Sequence, residues 1–396
     1  MKHLVLSGHG ININVDNSRL HVKDGRNDPD TEPKKYTFKP KMMDFDNVIV
    51  YGHSGNITLE AMRWLVKQNV QLTLLDWNGN LLTSVMPPES KQINYRMVQY
   101  QAYQTEERTR LAKLLVDAKI KSSKVVLSWL KSKYPQISDD IEYRYSKLPS
   151  ANSVKYVMDV EGKVAIVYWR ELSKIFNKTF EFETRGYGKT PRPLGAVDPI
   201  NVLLNYGYAV LESVCLKAIN TVGLDPKIGF LHEAQTGKNP LVYDLQEPFR
   251  WIIDVAILNG LEKRLFKKDD FIRTENYNLR LRPSGAKKLV REIELQMNKT
   301  VDYRGYNYSW AYIIGLKALE LAQYLAEKRK TIDFSNPSPE LEMKDNAELR
   351  QKILDLSSAK AEKLGIGRNE LHYLRKKAKS EKAFKIYGKV KDRLRC

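Results

Sequence analysis

Short alternating runs open the chain, and long helical stripes fill most of its remaining length. HLVLS (His3 to Ser7) and ININVDNSRLHVK repeat apolar residues with a period of two, the spacing of a half-buried strand. NVIVYG (Asn47 to Gly52) and VQLTLLD (Val70 to Asp76) read as two further strands. Between them Ile57, Leu59, Met62, Leu65 and Val66 recur at helical spacing. The Asn78-Gly79 pair predicts a tight turn into LLTSVM, and Pro87-Pro88 closes a β-rich N-terminal domain over residues 1–90. His9 and His53 stand beside glycines in loops and read as turn residues.

From Asn94 the period becomes that of helices. Asn94 to Lys133 carries repeated apolar positions, and its Lys113, Lys119, Lys121 and Lys124 either line a phosphate track or solvate a face. From Ser153 to about Phe176, Val157, Met158, Val164, Ala165, Tyr168 and Trp169 form a stripe that predicts a buried face. Glu161 falls inside that stripe, where a carboxylate needs a basic partner or a metal. Gly162, a poor helix former, suggests close approach of another backbone or a substrate. Asp198-Pro199 is a helix start, Gly223 suits its end, and the apolar segment between them reads as the central buried helix, with Cys215 a small core residue. VAILNGLEKRLF comes next. A strand-turn, YNLRLRPSGAKKLV, then sets Arg280 and Arg282 on one face, and a last helix runs from Tyr308 to about Lys330. These elements give a helical domain over residues 91–334. Residues 335–346, rich in Pro, Ser and acids, read as a linker to a module over 347–396.

Charge narrows the partners. The 66 Lys and Arg against 47 Asp and Glu leave +19 and a pI near 9.5, a surplus that favours nucleic acid. Residues 351–396 hold nearly half of it. There, two short helices, a GIG turn and the basic helix RNELHYLRKKAKS form a helix-turn-helix pattern. In that geometry Arg368, Asn369, His372 and Tyr373 would read bases, while Arg375, Lys376, Lys377 and Lys379 would meet phosphates; the alternative is a basic tail that coats nucleic acid without sequence preference. Two cysteines, Cys215 and Cys396, make no disulfide framework or zinc spacing. The first residues are too short a run for a signal peptide, and no run reaches bilayer length. A cytoplasmic protein with no membrane partner is expected.

Candidate chemistry gathers in IGFLHEAQTGKNPLVYDLQEPFRWII, residues 228–253. His232 lies in a turn-rich loop, and Asp244 and Glu247 stand three apart, on one face of a predicted helix. This is either a divalent-metal site aimed at phosphate or an ordinary acidic surface helix beside a loop histidine. Arg250 would clamp a phosphate or pair with an acid.

VEGKVAIVYW (160–169), DPINVLLNYGYAVL (198–211), GLDPKIGFLHE (223–233) and LVYDLQEPFRWIID (241–254) together resemble the core of the CRISPR-associated spacer-acquisition integrase. Residues 46–82 resemble its β-domain, and the likeness covers roughly residues 3–330. With a linker and helix-turn-helix module beyond the last helix, the chain resembles the casposases, the integrases of casposon mobile elements. The resemblance implies an α+β fold: an N-terminal β-sandwich, an all-α catalytic domain and a C-terminal helix-turn-helix. It implies a metal-dependent DNA integrase that joins 3′-hydroxyl ends to double-stranded target DNA, acting as a homodimer or a larger assembly on DNA. Glu161, His232 and Glu247 take the positions of the Mn²⁺ or Mg²⁺ ligands, with Asp244 an accessory acid. A CRISPR integrase subunit is the second expectation, and a non-catalytic DNA-binding architectural protein the third.

Overall fold

The computed structural model describes residues 2–27, 32–52, 54–76, 78–87, 92–176, 180–182, 184–185, 195–274, 278–337 and 347–380. His53, Pro88, linker residues 338–346, the Lys377 side chain and Cys396 lie outside the described residues. The chain divides into two compact units, Met1–Pro339 and Glu340–Cys396.

The first unit opens with strands β1 (His3–Gly8), β2 (Ile11–Asp16), β3 (Arg19–Lys23), β4 (Lys35–Phe38), β5 (Asn47–Gly52) and β6 (Gly55–Ile57). Helix α1 (Leu59–Lys67) and strands β7 (Gln71–Leu75) and β8 (Leu81–Val85) come after them. One sheet runs β1-β5-β7-β8 and the other β4-β3-β2-β6. The alternating run at residues 11–23 is a hairpin, pairing Asp16 with Arg19 across Asn17 and Ser18, both at positive φ. Two successive positive-φ residues match the right-handed twist of the strands they join. Period-two alternation turns Ile11, Ile13, Leu20 and Val22 of one sheet toward Leu6, Val48 and Leu72 of the other. Trp64 and Leu65 of α1 complete that core.

The helical part continues through α2 (Ile93–Tyr103), α3 (Glu107–Lys133), α4 (Glu142–Tyr145), α5 (Val154–Phe176), α6 (Pro199–Val222), α7 (Pro240–Gln246) and α8 (Arg250–Glu262). Strands β9 (Phe271–Arg273) and β10 (Leu279–Leu281), helix α9 (Pro283–Met297), strands β11 (Thr300–Tyr303) and β12 (Tyr306–Ser309), and helix α10 (Trp310–Leu325) complete the unit. Two short hairpins stand among the helices: β10, paired with β9, falls where a strand was expected, and β11–β12 was not expected. The stretch read as one helical run from Asn94 is two helices. The AKKLV segment is helix α9, because Pro283 fits the first helical turn and not a strand. Tyr308 belongs to β12, so the last helix starts at Trp310, with Ser309 accepting from the Tyr312 amide.

Helix α6 is capped by Asp198, whose carboxylate accepts from the Asn201 amide at 2.8 Å, and it ends on Gly223 at φ 91°. By length and composition it could cross a membrane, contrary to the sequence reading. Yet 72% of its most apolar window is buried inside the protein, so it is a core helix. Contacts within the unit fasten strands to helices: Lys287 of α9 meets Asp24 at 2.5 Å, and Tyr51 of β5 donates to the Leu281 carbonyl at 2.8 Å.

The second unit comprises α11 (Ala347–Asp355), α12 (Ser358–Lys363) and α13 (Arg368–Ser380). They pack around Ile353, Ala361, Ile366, Leu371, Leu374 and Ala378. Ser357 caps α12 through the Lys360 amide.

On β1, both ring nitrogens of His3 are shut off from solvent with no hydrogen-bond partner among the described residues, and burial pushes the imidazole down to about 4. An unfolded imidazole near pH 6.5 therefore takes its proton before the folded one does. Stability should fall as pH drops from 6.5 toward 4. In urea unfolding at pH 7 and 4.5, wild type should lose roughly 2 kcal/mol more than His3→Asn. Equal losses would contradict a buried neutral His3.

Candidate active site

Pro248 organises the site locally. Without an N–H it cannot continue the hydrogen-bond ladder of α7, so Glu247–Phe249 forms a 3₁₀ turn before α8 begins. The expected single helix carrying Asp244 and Glu247 on one face is therefore broken. Asp244 ends up on α7 and Glu247 in the turn.

Asp244 is fully buried and accepts four hydrogen bonds from the loop after α6. The donors are the backbone amides of Phe230, Leu231 and His232, the last two at 3.0 Å, and the His232 Nδ1–H at 2.8 Å. Gly229 makes this possible, since a Cβ there would stand 2.9 Å from the Asp244 Oδ2 and 2.8 Å from the Pro240 carbonyl carbon. Tying down Nδ1 fixes the ring and leaves Nε2 as its remaining donor or ligand atom. Burial opposes a charged imidazole, but the hydrogen bond and charge of Asp244, with the charge of Glu247, outweigh it and raise the His232 pKa. Asp244, the accessory acid of the sequence reading, thus holds the His232 ring and its loop in place.

Glu161 stands on α5, half-buried at the edge of the stripe. Val160 and Val164 fill the core beside it, while Met158 is 42% exposed and no other atoms crowd Gly162. Of the backbone or substrate expected close to Gly162, no backbone of the described residues approaches it. Glu161 has the basic partner that sequence reasoning left open: Lys119 of α3, whose Nζ lies 2.5 Å from Glu161 Oε1 and 2.5 Å from Glu247 Oε2. Burial would deprotonate that ammonium, but Glu247 and Glu161 hold its pKa up. Burial likewise opposes a charged Glu247, and Lys119, Arg250 and His232 overcome it, taking Glu247 down to about 2. Arg250 stands 3.4 Å from Glu247 and lies 3.9 Å above the Tyr208 ring, so it makes both an ion pair and a cation–π contact.

A cavity of about 210 Å³ opens beside these groups. At its inner wall Asp254 accepts from Tyr168 at 2.8 Å and from Tyr208 at 2.6 Å. Burial raises the Asp254 pKa, and the two hydroxyls oppose the shift. Sequence reasoning missed Tyr208 and Asp254, and did not separate Lys119 from Lys113, Lys121 and Lys124. Two signals were there: Val116, Lys119, Ser122 and Val126 share one stripe of α3, and Glu247, Arg250 and Asp254 recur at helical spacing.

The remaining residues singled out from sequence lie elsewhere. Arg280 is half-buried on β10, and Arg282 has left the strand to precede α9; neither lines the cavity. On α13, Arg368, Asn369, His372, Tyr373, Lys376 and Lys379 are exposed. Arg375 is turned inward and donates to the Leu356 carbonyl at 2.6 Å, which ties α13 to the end of α11 and takes its guanidinium out of the exposed set.

Residues 4–295 match the sequence model of the family described as CRISPR associated protein Cas1. A CRISPR-associated endonuclease Cas1 of Archaeoglobus fulgidus is 27% identical over 349 residues, 84% of this chain and 98% of that protein. A solved structure described as a casposase bound to integration product is 48% identical. It covers 90% of this chain and 99% of its own, with a TM-score of 0.84. The Thermotoga maritima CAS1 structure, 20% identical over 82% of this chain and 97% of its own, shares the fold at a TM-score of 0.66.

Replacing Lys119 should expose the cost of the charges it pairs. Lys119→Met leaves buried Glu247 with one fewer cation and should lower unfolding free energy by roughly 3 kcal/mol. Adding Glu247→Gln should restore most of that in urea titration. A double variant no more stable than Lys119→Met would show that the ion pair is not what holds these helices together.

Proposed function

The chain belongs to the CRISPR associated protein Cas1 family, and from that premise we propose that it is a DNA integrase of the casposase kind. In this reading a 3′-hydroxyl at the end of a mobile element attacks a target phosphodiester. The new 3′-oxygen–phosphorus bond forms as the bond to the target's own 3′-oxygen breaks, and that oxygen leaves as a hydroxyl after taking a proton. The observation that carries the reading is the convergence of Glu161 and Glu247 on one cation position beside a histidine whose Nδ1 is already committed.

The chemistry of that donor set fits a hard divalent cation, Mn²⁺ or Mg²⁺: two carboxylates, one imidazole and no thiolate. Lys119 marks where positive charge is stabilised. Among the described residues no three acidic, His or Cys side chains stand grouped to hold a metal in this arrangement. A cation held by Glu161 and Glu247 would take the place that the Lys119 ammonium has between them. When bound, the cation would neutralise the target phosphate and the departing oxygen. Asp244 keeps His232 turned toward the site. Arg250, stacked on Tyr208 beside Glu247, is placed to meet a phosphate oxygen, and Tyr168 and Tyr208 keep Asp254 from facing the cavity as a free carboxylate.

Double-stranded DNA is the proposed partner, with a homodimer as the assembly. The second unit is proposed as a helix-turn-helix DNA reader, through the exposed face of α13. Within the same family, a CRISPR spacer-acquisition integrase would use the same site, as the match to the Archaeoglobus fulgidus endonuclease allows. The casposase reading is preferred for the higher identity and wider coverage of that structure.

With a 3′-hydroxyl oligonucleotide, supercoiled plasmid and Mn²⁺, wild type should join the two. Glu161→Ala and His232→Ala should lower joining by at least about 10³-fold while DNA affinity stays within about twofold. Joining by His232→Ala at the wild-type rate would overturn the site. Ending the chain after Pro337 should weaken DNA binding and flatten its dependence on salt, while joining of generic DNA persists. An unchanged salt slope would remove the second unit from DNA contact.

A further inference from the structure

The segment after α10 has no regular secondary structure, yet it is firmly held. Ile332 is 6% and Phe334 1% exposed, so alternate residues of an extended strap point into the protein. Lys317 of α10, itself 1% exposed, donates to the carbonyls of Asp333 at 2.7 Å and Ser335 at 2.9 Å. Arg329 Nε donates to the Thr331 carbonyl at 2.8 Å, and the Ser335 amide donates to Asp333 Oδ1 at 2.8 Å. A surface linker has no need of a buried ammonium on its carbonyls.

The strap ends directly behind the candidate site. Asn336 Nδ2 donates to the Pro248 carbonyl at 2.5 Å, and the Ser122 hydroxyl donates to that carbonyl at 3.3 Å and stands 3.4 Å from Asn336 Nδ2. Pro248 is the residue after Glu247, and Ser122 lies one helical turn beyond Lys119. On the cavity side, the Lys119–Glu247 ion pair joins α3 to the 3₁₀ turn; on the far side, Asn336 joins the same two elements. Pro248 offers the turn no N–H, and its carbonyl takes donors from outside, the Ser122 hydroxyl and the Asn336 side-chain amide.

We propose that Asn336 is a positioning residue for Glu247, fixing the turn that carries this carboxylate from behind through the Pro248 carbonyl. The role rests on the reading of Glu247 as a metal-holding carboxylate. It makes the first residues of the assigned linker part of the catalytic unit. A displacement of about 1 Å at a reacting group can cost 10²-fold in rate, and one neutral hydrogen bond is worth roughly tenfold at most.

The test uses the full chain and Asn336→Leu, which keeps the side-chain size and removes the donor. Mn²⁺ affinity without DNA, by isothermal titration calorimetry, should weaken about fivefold. In the joining assay kcat should fall about tenfold with KM for the oligonucleotide unchanged, and Tm should stay within a few degrees. Wild-type Mn²⁺ affinity and kcat in Asn336→Leu would overturn the positioning role while leaving the function intact. A wild-type protein that neither binds Mn²⁺ nor joins DNA would overturn the functional reading, and this role with it. If Asn336→Leu fails to fold, Ser122→Ala takes one hydroxyl from the same carbonyl and should lower kcat about twofold at unchanged KM. No change in Ser122→Ala would then count against the proposal.

Discussion

One partly buried cluster of opposite charges, centred on Glu247, sets the terms for the helical part of this protein. Lys119 comes from α3, Glu161 from α5, Glu247 from the turn before α8 and Arg250 from α8 itself. Removing such groups from water costs several kcal/mol each, and their mutual attraction recovers that only when every partner is in place. The helices are therefore constrained to meet where the charges balance. An apolar set of the same volume would hold them together at least as well, so the cluster is better explained by chemistry than by stability. On the proposed function, Glu161 and Glu247 converge on Lys119 because that position serves a cation.

The turn at Glu247 shows how one covalent fact propagates. Pro248 breaks the helix, which separates Asp244 from Glu247 and gives them different work. Asp244 becomes an internal acceptor that shapes the His232 loop, and Glu247 reaches the cavity. Beyond them, Arg250, Tyr208, Asp254 and Tyr168 form a continuous hydrogen-bonded and stacked wall. A half-satisfied network there would be costly, whereas this one gives each Asp254 oxygen its donor.

Much of this was legible in the chain. Period-two runs marked the strands, Asp198-Pro199 and Gly223 bounded the core helix, and an acid on an apolar stripe drew attention to Glu161. The features that escaped depend on contacts between distant elements. Lys119 looked like its neighbours Lys113, Lys121 and Lys124 because nothing local says which lysine will face Glu161. The β11–β12 hairpin hid behind the helical pattern of α10, since Tyr308 suits either period. Asn336 sat in a segment whose Pro, Ser and acid content spoke for a free linker. That segment is held by Lys317 of α10, through the Asp333 and Ser335 carbonyls, a contact its composition does not reveal. Arg375 was grouped with the exposed bases of α13 for the same reason, although its partner carbonyl lies at the end of another helix.

The central proposal is that Glu161, Glu247 and His232 would hold a divalent cation at the position the Lys119 ammonium fills in this structure. Anomalous diffraction at the manganese edge, from crystals grown with Mn²⁺, tests that claim most directly. The account predicts a single strong peak between the two carboxylates and His232 Nε2, with the Lys119 ammonium moved away from both. Lys119 still bridging Glu161 and Glu247, with no manganese between them or with the peak elsewhere in the chain, would contradict it.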